Sequence, residues 1–178
     1  MPKPVVPQPT LTTQAWASHF RSFFSEGTPA AACAPLSPGA CVHLCIQTHS
    51  SPHSTLTFIK NASGEVTILE GETSIAQASL TLSAELTHEI LNLKSDSIGD
   101  FGVLILSAFL GKPRRLQVRT HVGFVELWRK GWFGVLALGG GQVASYLASH
   151  GLNGIGGIQR ALKALRSEVS QTEKELRP

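Results

Sequence analysis

LTFIKNASGEVTILEGETSIAQASLTLSAELTHEILNL, residues 56–93, is the stretch whose reading decides the fold. Leu56 and Phe58 alternate with their neighbours, and so do Val66 and Ile68, which marks two half-buried strands. Between them, Asn61-Ala62-Ser63-Gly64 is hairpin chemistry: Asn tolerates left-handed geometry, and Gly reaches positive φ without a Cβ clash. After a turn at Gly71-Glu72-Thr73-Ser74, Ala78, Leu80 and Leu82 alternate in a further strand. That strand runs straight into a helical stripe of Leu86, Ile90 and Leu93. Ser83 can cap this helix by accepting from first-turn N–H groups, and Glu85 suits its positive end. Upstream, Val42, Leu44 and Ile46 alternate in one more strand. These runs predict a four-stranded antiparallel sheet with one face buried.

Outward from this centre, Trp16, Phe20, Phe23 and Phe24 share one face of a helix that starts near Thr13. Gly27 and Pro29 stop it, and a loop carrying Pro29, Pro35 and Pro38 follows. On the other side, Ser97-Ile98-Gly99-Asp100 resembles a capping box at the head of a helix over residues 98–110. Apolar residues occupy nearly the whole circumference of that helix. A helix of this kind is buried on both sides, or one side faces something other than water. Residues 114–122 alternate as a fifth strand. Leu116, Val118, Thr120 and Val122 face inward, and Arg115, Gln117, Arg119 and His121 form a basic outer face. Phe124, Leu127 and Trp128 then suggest a short helix ending at Gly131.

The remainder changes character. Residues 131–157 hold nine of the 17 glycines, with Val143, Tyr146 and Leu147 on one short helix. Ile158, Leu162, Leu165, Val169 and Leu176 repeat as an amphipathic helix of about three heptads. The organisation read from this pattern is a proline-rich arm at 1–11, an α+β domain at 12–130, a glycine-rich segment at 131–156 and a C-terminal helix at 157–178. The domain is a five-stranded, mainly antiparallel sheet covered by helices.

Composition narrows the function. Apolar residues make up 42% and charged residues 15% of 178 residues, so charge is scarce. A formal charge of +3 with no dense basic stripe argues against nucleic acid. No apolar run approaches the ~20 residues of a membrane span. Three cysteines cannot all pair, and Pro2, Pro4, Pro7 and Pro9 stand where a signal peptide needs an apolar core. Both features favour a cytoplasmic setting.

Chemistry is thinly represented. Cys41, His43 and Cys45 share one strand face, with His49 and His53 beyond, and these are zinc-ligand residue types. On an extended strand, however, i and i+2 side chains run parallel about 6.6 Å apart instead of converging. They read as the second face of the sheet, and no metal is expected. Gly154-Ile155-Gly156-Gly157 lacks the preceding strand and the Lys-Ser/Thr of a phosphate loop. No cofactor and no catalytic constellation is expected.

Phe58-Ile59-Lys60-Asn61-Ala62-Ser63-Gly64-Glu65-Val66 resembles the strand, Lys-Asn-x-x-Gly turn and following strand of the sterol carrier protein 2 domain family. The strand at residues 78–82 passing directly into the Ser83 helix is similar too, as are Gly111-Lys112 before a strand and Gly123 after it. The resemblance covers residues 13–130. It implies helices over a five-stranded sheet enclosing an apolar tunnel for fatty acyl, sterol or phospholipid ligands, and it offers no catalytic residues to transfer. The segment at 94–110 is longer than the family's, and the chain continues past the family's usual end. That end, Glu175-Leu176-Arg177-Pro178, lacks the peroxisomal address some members carry.

The expected role is therefore non-catalytic binding or carrying of an apolar ligand. Candidate cavity residues are Phe101, Leu104, Ile105, Phe109, Phe124, Trp128 and Trp132, with Trp132 and Phe133 as a lid or an edge touching a membrane surface. The alternative is a structural protein that oligomerises, or docks a partner or membrane, through its C-terminal helix.

Overall fold

The computed structural model describes residues 11–48 and 53–152, together with Gly156. The proline-rich arm up to residue 10, His49 and the amphipathic helix expected at 157–178 lie outside the described residues.

Five strands form one sheet: β1 (Cys41–Gln47), β2 (Ser54–Lys60), β3 (Val66–Glu70), β4 (Ala78–Ser83) and β5 (Leu116–Thr120). Their order is β3-β2-β1-β4-β5. The hairpin turn forms from the residues that announced it. Asn61 Oδ1 accepts from Glu65 N–H at 2.8 Å, and Gly64 sits at φ 85°, a backbone conformation that residues with a Cβ adopt only under strain.

The antiparallel four-stranded meander expected from the sequence is corrected at one pairing. β1 pairs with β2, β2 with β3 and β4 with β5 in antiparallel fashion. β4, however, runs parallel to β1, with Val42 opposite Ala78 and Gln47 opposite Ser83. The sheet is mixed, and the geometry of the link explains how. To enter β4 parallel to β1, residues 71–77 must travel back along the sheet, a distance within the roughly 25 Å such a link can span. They cross the face that the helices leave free. Thr57 Oγ1 donates to Gly71 C=O at 2.6 Å, and Thr73 N–H donates to His43 Nε2 at 3.0 Å. This strap buries Cys41, His43 and Thr57, so central β1 is covered on both faces.

Helices α1 (Thr13–Ser25) and α2 (Gly27–Ala32) precede the sheet. Trp16 and Phe20 of α1 pack into a core with Val42, Leu44, Ile46, Leu56, Phe58 and Ile68. Arg21 donates from Nε and Nη2 to Ile68 C=O at 3.2 and 3.1 Å, which ties α1 to edge strand β3. The stretch around Pro29 is helical where a loop was expected. Proline is tolerated in the first turn because N–H groups there have no intrahelical acceptor to lose.

α3 (Ala84–Asn92) follows β4 without a break, with Ser83 Oγ accepting from Leu86 N–H at 3.2 Å. α4 (Ile98–Leu110) comes next, but the expected capping box does not form. Asp100 instead accepts from Ser95 Oγ at 2.5 Å and from Gln142 Nε2 at 3.2 Å. Ser97 Oγ donates to Gln142 Oε1. α5 (Phe124–Arg129), α6 (Trp132–Leu138) and α7 (Gly140–Ser149) complete the described chain. The glycine-rich segment thus carries two helices where one short helix was expected. α4 and α7 approach closely: a Cβ on Gly102 would stand 2.5 Å from Val143 Cγ2. Among the described residues, no helix is long and apolar enough to cross a membrane.

Candidate functional site: an apolar cavity between sheet and helices

The cavity is built from the alternation of β1, β4 and β5. Val42, Ala78, Leu80, Val118 and Thr120 supply its floor. In the registers of these strands, Leu80 stands opposite Leu44 on one side and Val118 on the other. α4 contributes Leu106, Phe109 and Leu110, and α5 and α6 contribute Leu127, Trp132, Phe133 and Leu136. Leu147 and Leu152 close the far wall. The end of α7 places that last pair: Leu152 N–H reaches Leu147 C=O and Gly151 N–H reaches Ala148 C=O, both at 3.0 Å. This Schellman arrangement brings the two leucines together.

The cavity measures about 220 Å³ and is partly open, and no polar atom reaches its surface. It exceeds the ~150 Å³ apolar void that takes up benzene and falls short of the ~300 Å³ at which drug-sized pockets begin. At roughly 30 Å³ per water-sized group, it holds about seven methylenes.

The residues singled out from the sequence fall in three places. Phe109 and Trp132 line the cavity. Phe101 and Leu104 do not: Phe101 meets Phe23 edge to face at 5.8 Å, and Leu104 packs with Leu82, Leu86, Ile90 and Leu116. Ile105 is 40% exposed. Phe124 and Trp128 stack with Phe133, at ring-centroid distances of 4.7–6.0 Å. This aromatic cluster lies outside the cavity and shares Phe133 with its wall. Trp128 is 54% and Val125 78% exposed. Sequence reasoning missed Leu106, Leu147 and Leu152, although His150-Gly151-Leu152 carries the signal of a glycine helix stop followed by a leucine.

A second hollow of about 360 Å³ is lined by Phe23, Leu91 and Phe101 below and by Lys94, Ser95 and Asp96 at its rim. It is more open and polar-edged, so an apolar chain leaving water gains less there.

Cys41, His43 and Cys45 do share a face, yet each has its own partner. Cys41 Sγ lies 3.7 Å from Thr73 Oγ1, and His43 accepts from Thr73. Burial pushes the Cys33 thiol up to about 11, only partly offset by nearby Lys60. Burial also raises Cys41, against the Thr73 hydrogen bond, and Cys45, against the one from Thr55. Thiols held protonated are poor nucleophiles and poor ligands. Among the described residues, no three His, Cys, Asp or Glu side chains are placed to hold a metal ion.

No known protein family and no curated protein matches the sequence. Among solved structures, one described as "UbiJ-SCP2 Ubiquinone synthesis protein" is similar to this chain. It is 15% identical with a TM-score of 0.39, and the match covers 71% of this chain and 94% of that one. The α+β class rests on the sheet and helices themselves.

Proposed function

We propose that this protein binds and carries an apolar ligand, with a single hydrocarbon segment of a fatty acyl chain or similar lipid in the cavity between β1, β4, β5 and α4–α7. The observation that carries the reading is a void of about 220 Å³ with no polar atom at its surface. Hollows of this size are few in well-packed proteins, and a wholly apolar wall offers water no partner, so hydrocarbon is favoured there. About seven methylenes at ~0.8 kcal/mol each give roughly 6 kcal/mol. That is a dissociation constant between micromolar and millimolar before any headgroup contact. A fused-ring sterol carries several times as many heavy atoms, so an acyl tail is the better fit. With no polar atom exposed at the wall, a headgroup stays at the opening, and the binding step needs no bond chemistry.

The cluster of Phe124, Trp128 and Phe133, with exposed Val125, is where this protein meets a lipid surface. Tryptophan favours such interfaces because its ring is apolar and its N–H stays wet, and Phe133 connects the cluster to the cavity wall. The three free cysteines support a reducing, cytoplasmic setting.

Displacement of a fluorescent fatty acid from purified protein, together with native mass spectrometry for retained lipid, tests the reading. Displacement at roughly tens to hundreds of micromolar is expected from that energy. Protein that neither retains lipid nor binds the probe would end it.

A further inference from the structure

The outer face of the sheet carries a side-chain cluster that the cavity does not use. Ser79 stands opposite His43 across β1 and β4, and opposite Arg119 across β4 and β5. Opposed residues in a sheet project to the same side, and successive residues to opposite sides. Ser79 is therefore turned away from its neighbours Ala78 and Leu80, which floor the cavity. Its Oγ lies 2.7 Å from His121 Nε2 and 3.5 Å from His43 Nδ1.

One backbone group fixes the tautomer at the buried end of this chain. Thr73 N–H donates to His43 Nε2, and an amide can only donate. Nε2 is then unprotonated, and neutral His43 holds its proton on Nδ1, facing Ser79 Oγ. The serine oxygen is the acceptor on that side, and its own proton is available to His121 Nε2 in the tautomer that leaves that nitrogen bare. The His43 contact is long and weak, and the His121 contact is short. His43 is 7% exposed, whereas His121 is exposed and open to a reactant from solvent. Burial, and then the Arg119 cation and His43, hold His121 below its ordinary pKa, with Glu72 opposing. It is a free base at neutral pH.

We propose that Ser79 is a nucleophilic serine, with His121 as its general base, that accepts the acyl group of a carboxylic ester arriving at the outer face of the sheet. His121 Nε2 takes the hydroxyl proton as Oγ bonds to the ester carbonyl carbon. The tetrahedral adduct collapses, its bond to the alkoxy group breaks, and the alcohol leaves with the proton from His121. Water, deprotonated by the same imidazole, then attacks the acyl-serine. The carboxylic acid departs and the proton returns to Ser79 Oγ. Arg119, on the same face beside Ser79, supplies positive charge near the developing oxyanion.

The test uses the full chain, p-nitrophenyl acetate at neutral pH and peptide mass spectrometry after acid quench. An acetyl group on the Ser79 peptide is expected. Acetylation should be about 100-fold or more slower in His121→Gln, the range general-base loss produces, and absent from that peptide in Ser79→Ala. The wild-type acylation rate should rise with pH through a midpoint below that of ordinary imidazole, ~6.5, because His121 is depressed. Folded wild-type protein with no acetyl at Ser79, or a His121→Gln variant acetylated there at the wild-type rate, would overturn the assignment. Fatty-acid displacement reports on the opposite face and stands or falls separately.

Discussion

Filling the cavity from its floor is the sharpest test of the carrier reading. Ala78 is buried and lines the cavity, so Ala78→Leu adds three carbons where there is space. At ~30 Å³ per group they occupy roughly 90 Å³ of the 220 Å³. A bound chain then loses about three methylenes, or ~2.4 kcal/mol, which at 1.4 kcal/mol per decade is close to 50-fold in affinity. Stability should move the other way. Added carbons in a packed core cost about 1–3 kcal/mol, but here they replace empty volume, so the melting temperature is expected to hold or rise. The assay pairs fluorescent fatty-acid displacement with differential scanning calorimetry on the same samples. Ile105→Ala is the control, because Ile105 is 40% exposed and outside the cavity wall, and its affinity should not change. A folded Ala78→Leu protein that binds as tightly as wild type would refute the reasoning. So would a fall in melting temperature that accounts for the whole loss.

Three further outcomes follow from the packing and the charges. Gly102→Ala drives a Cβ to 2.5 Å from Val143 Cγ2, so the Val143 side chain or the α4–α7 packing must shift. Overpacking of about 1–3 kcal/mol should lower the melting temperature by about 2–12 °C, and Val143→Ala should restore part of it. His121, depressed in the folded state, binds fewer protons there than in the unfolded chain between its folded pKa and ~6.5. Its contribution is therefore full above pH ~6.5 and is lost as pH falls through the folded value; melting temperatures of His121→Gln against pH should show a shallower acid decline. Cys33, raised to about 11, is ionised in about one molecule per thousand at pH 8. Iodoacetamide should modify it only when the chain is unfolded, and rapid native labelling mapped by mass spectrometry would contradict its burial.

What was legible in the sequence, and what was not, follows from the range over which each signal acts. Alternation at Leu56, Phe58, Val66, Ile68 and Leu116 and the Ser83 cap are local, and the structure reproduces them. Alternation says which face a residue takes and is silent about which strand lies beside it. For that reason the parallel pairing of β4 with β1 was invisible, and with it the burial of His43 and Thr57 under residues 71–77. The cavity was partly legible for a similar reason. An all-apolar α4 has to touch something on every side, yet its period does not tell which side meets a void. Phe109 was placed on the cavity, while Ile105, on the same sequence argument, is exposed. The Ser79–His121 contact spans 42 residues and needs the β4–β5 pairing. Reading His121 as part of a solvated outer face holds, since His121 is exposed. What it could not supply is the partner, because the hydroxyl 2.7 Å from His121 Nε2 comes from the neighbouring strand.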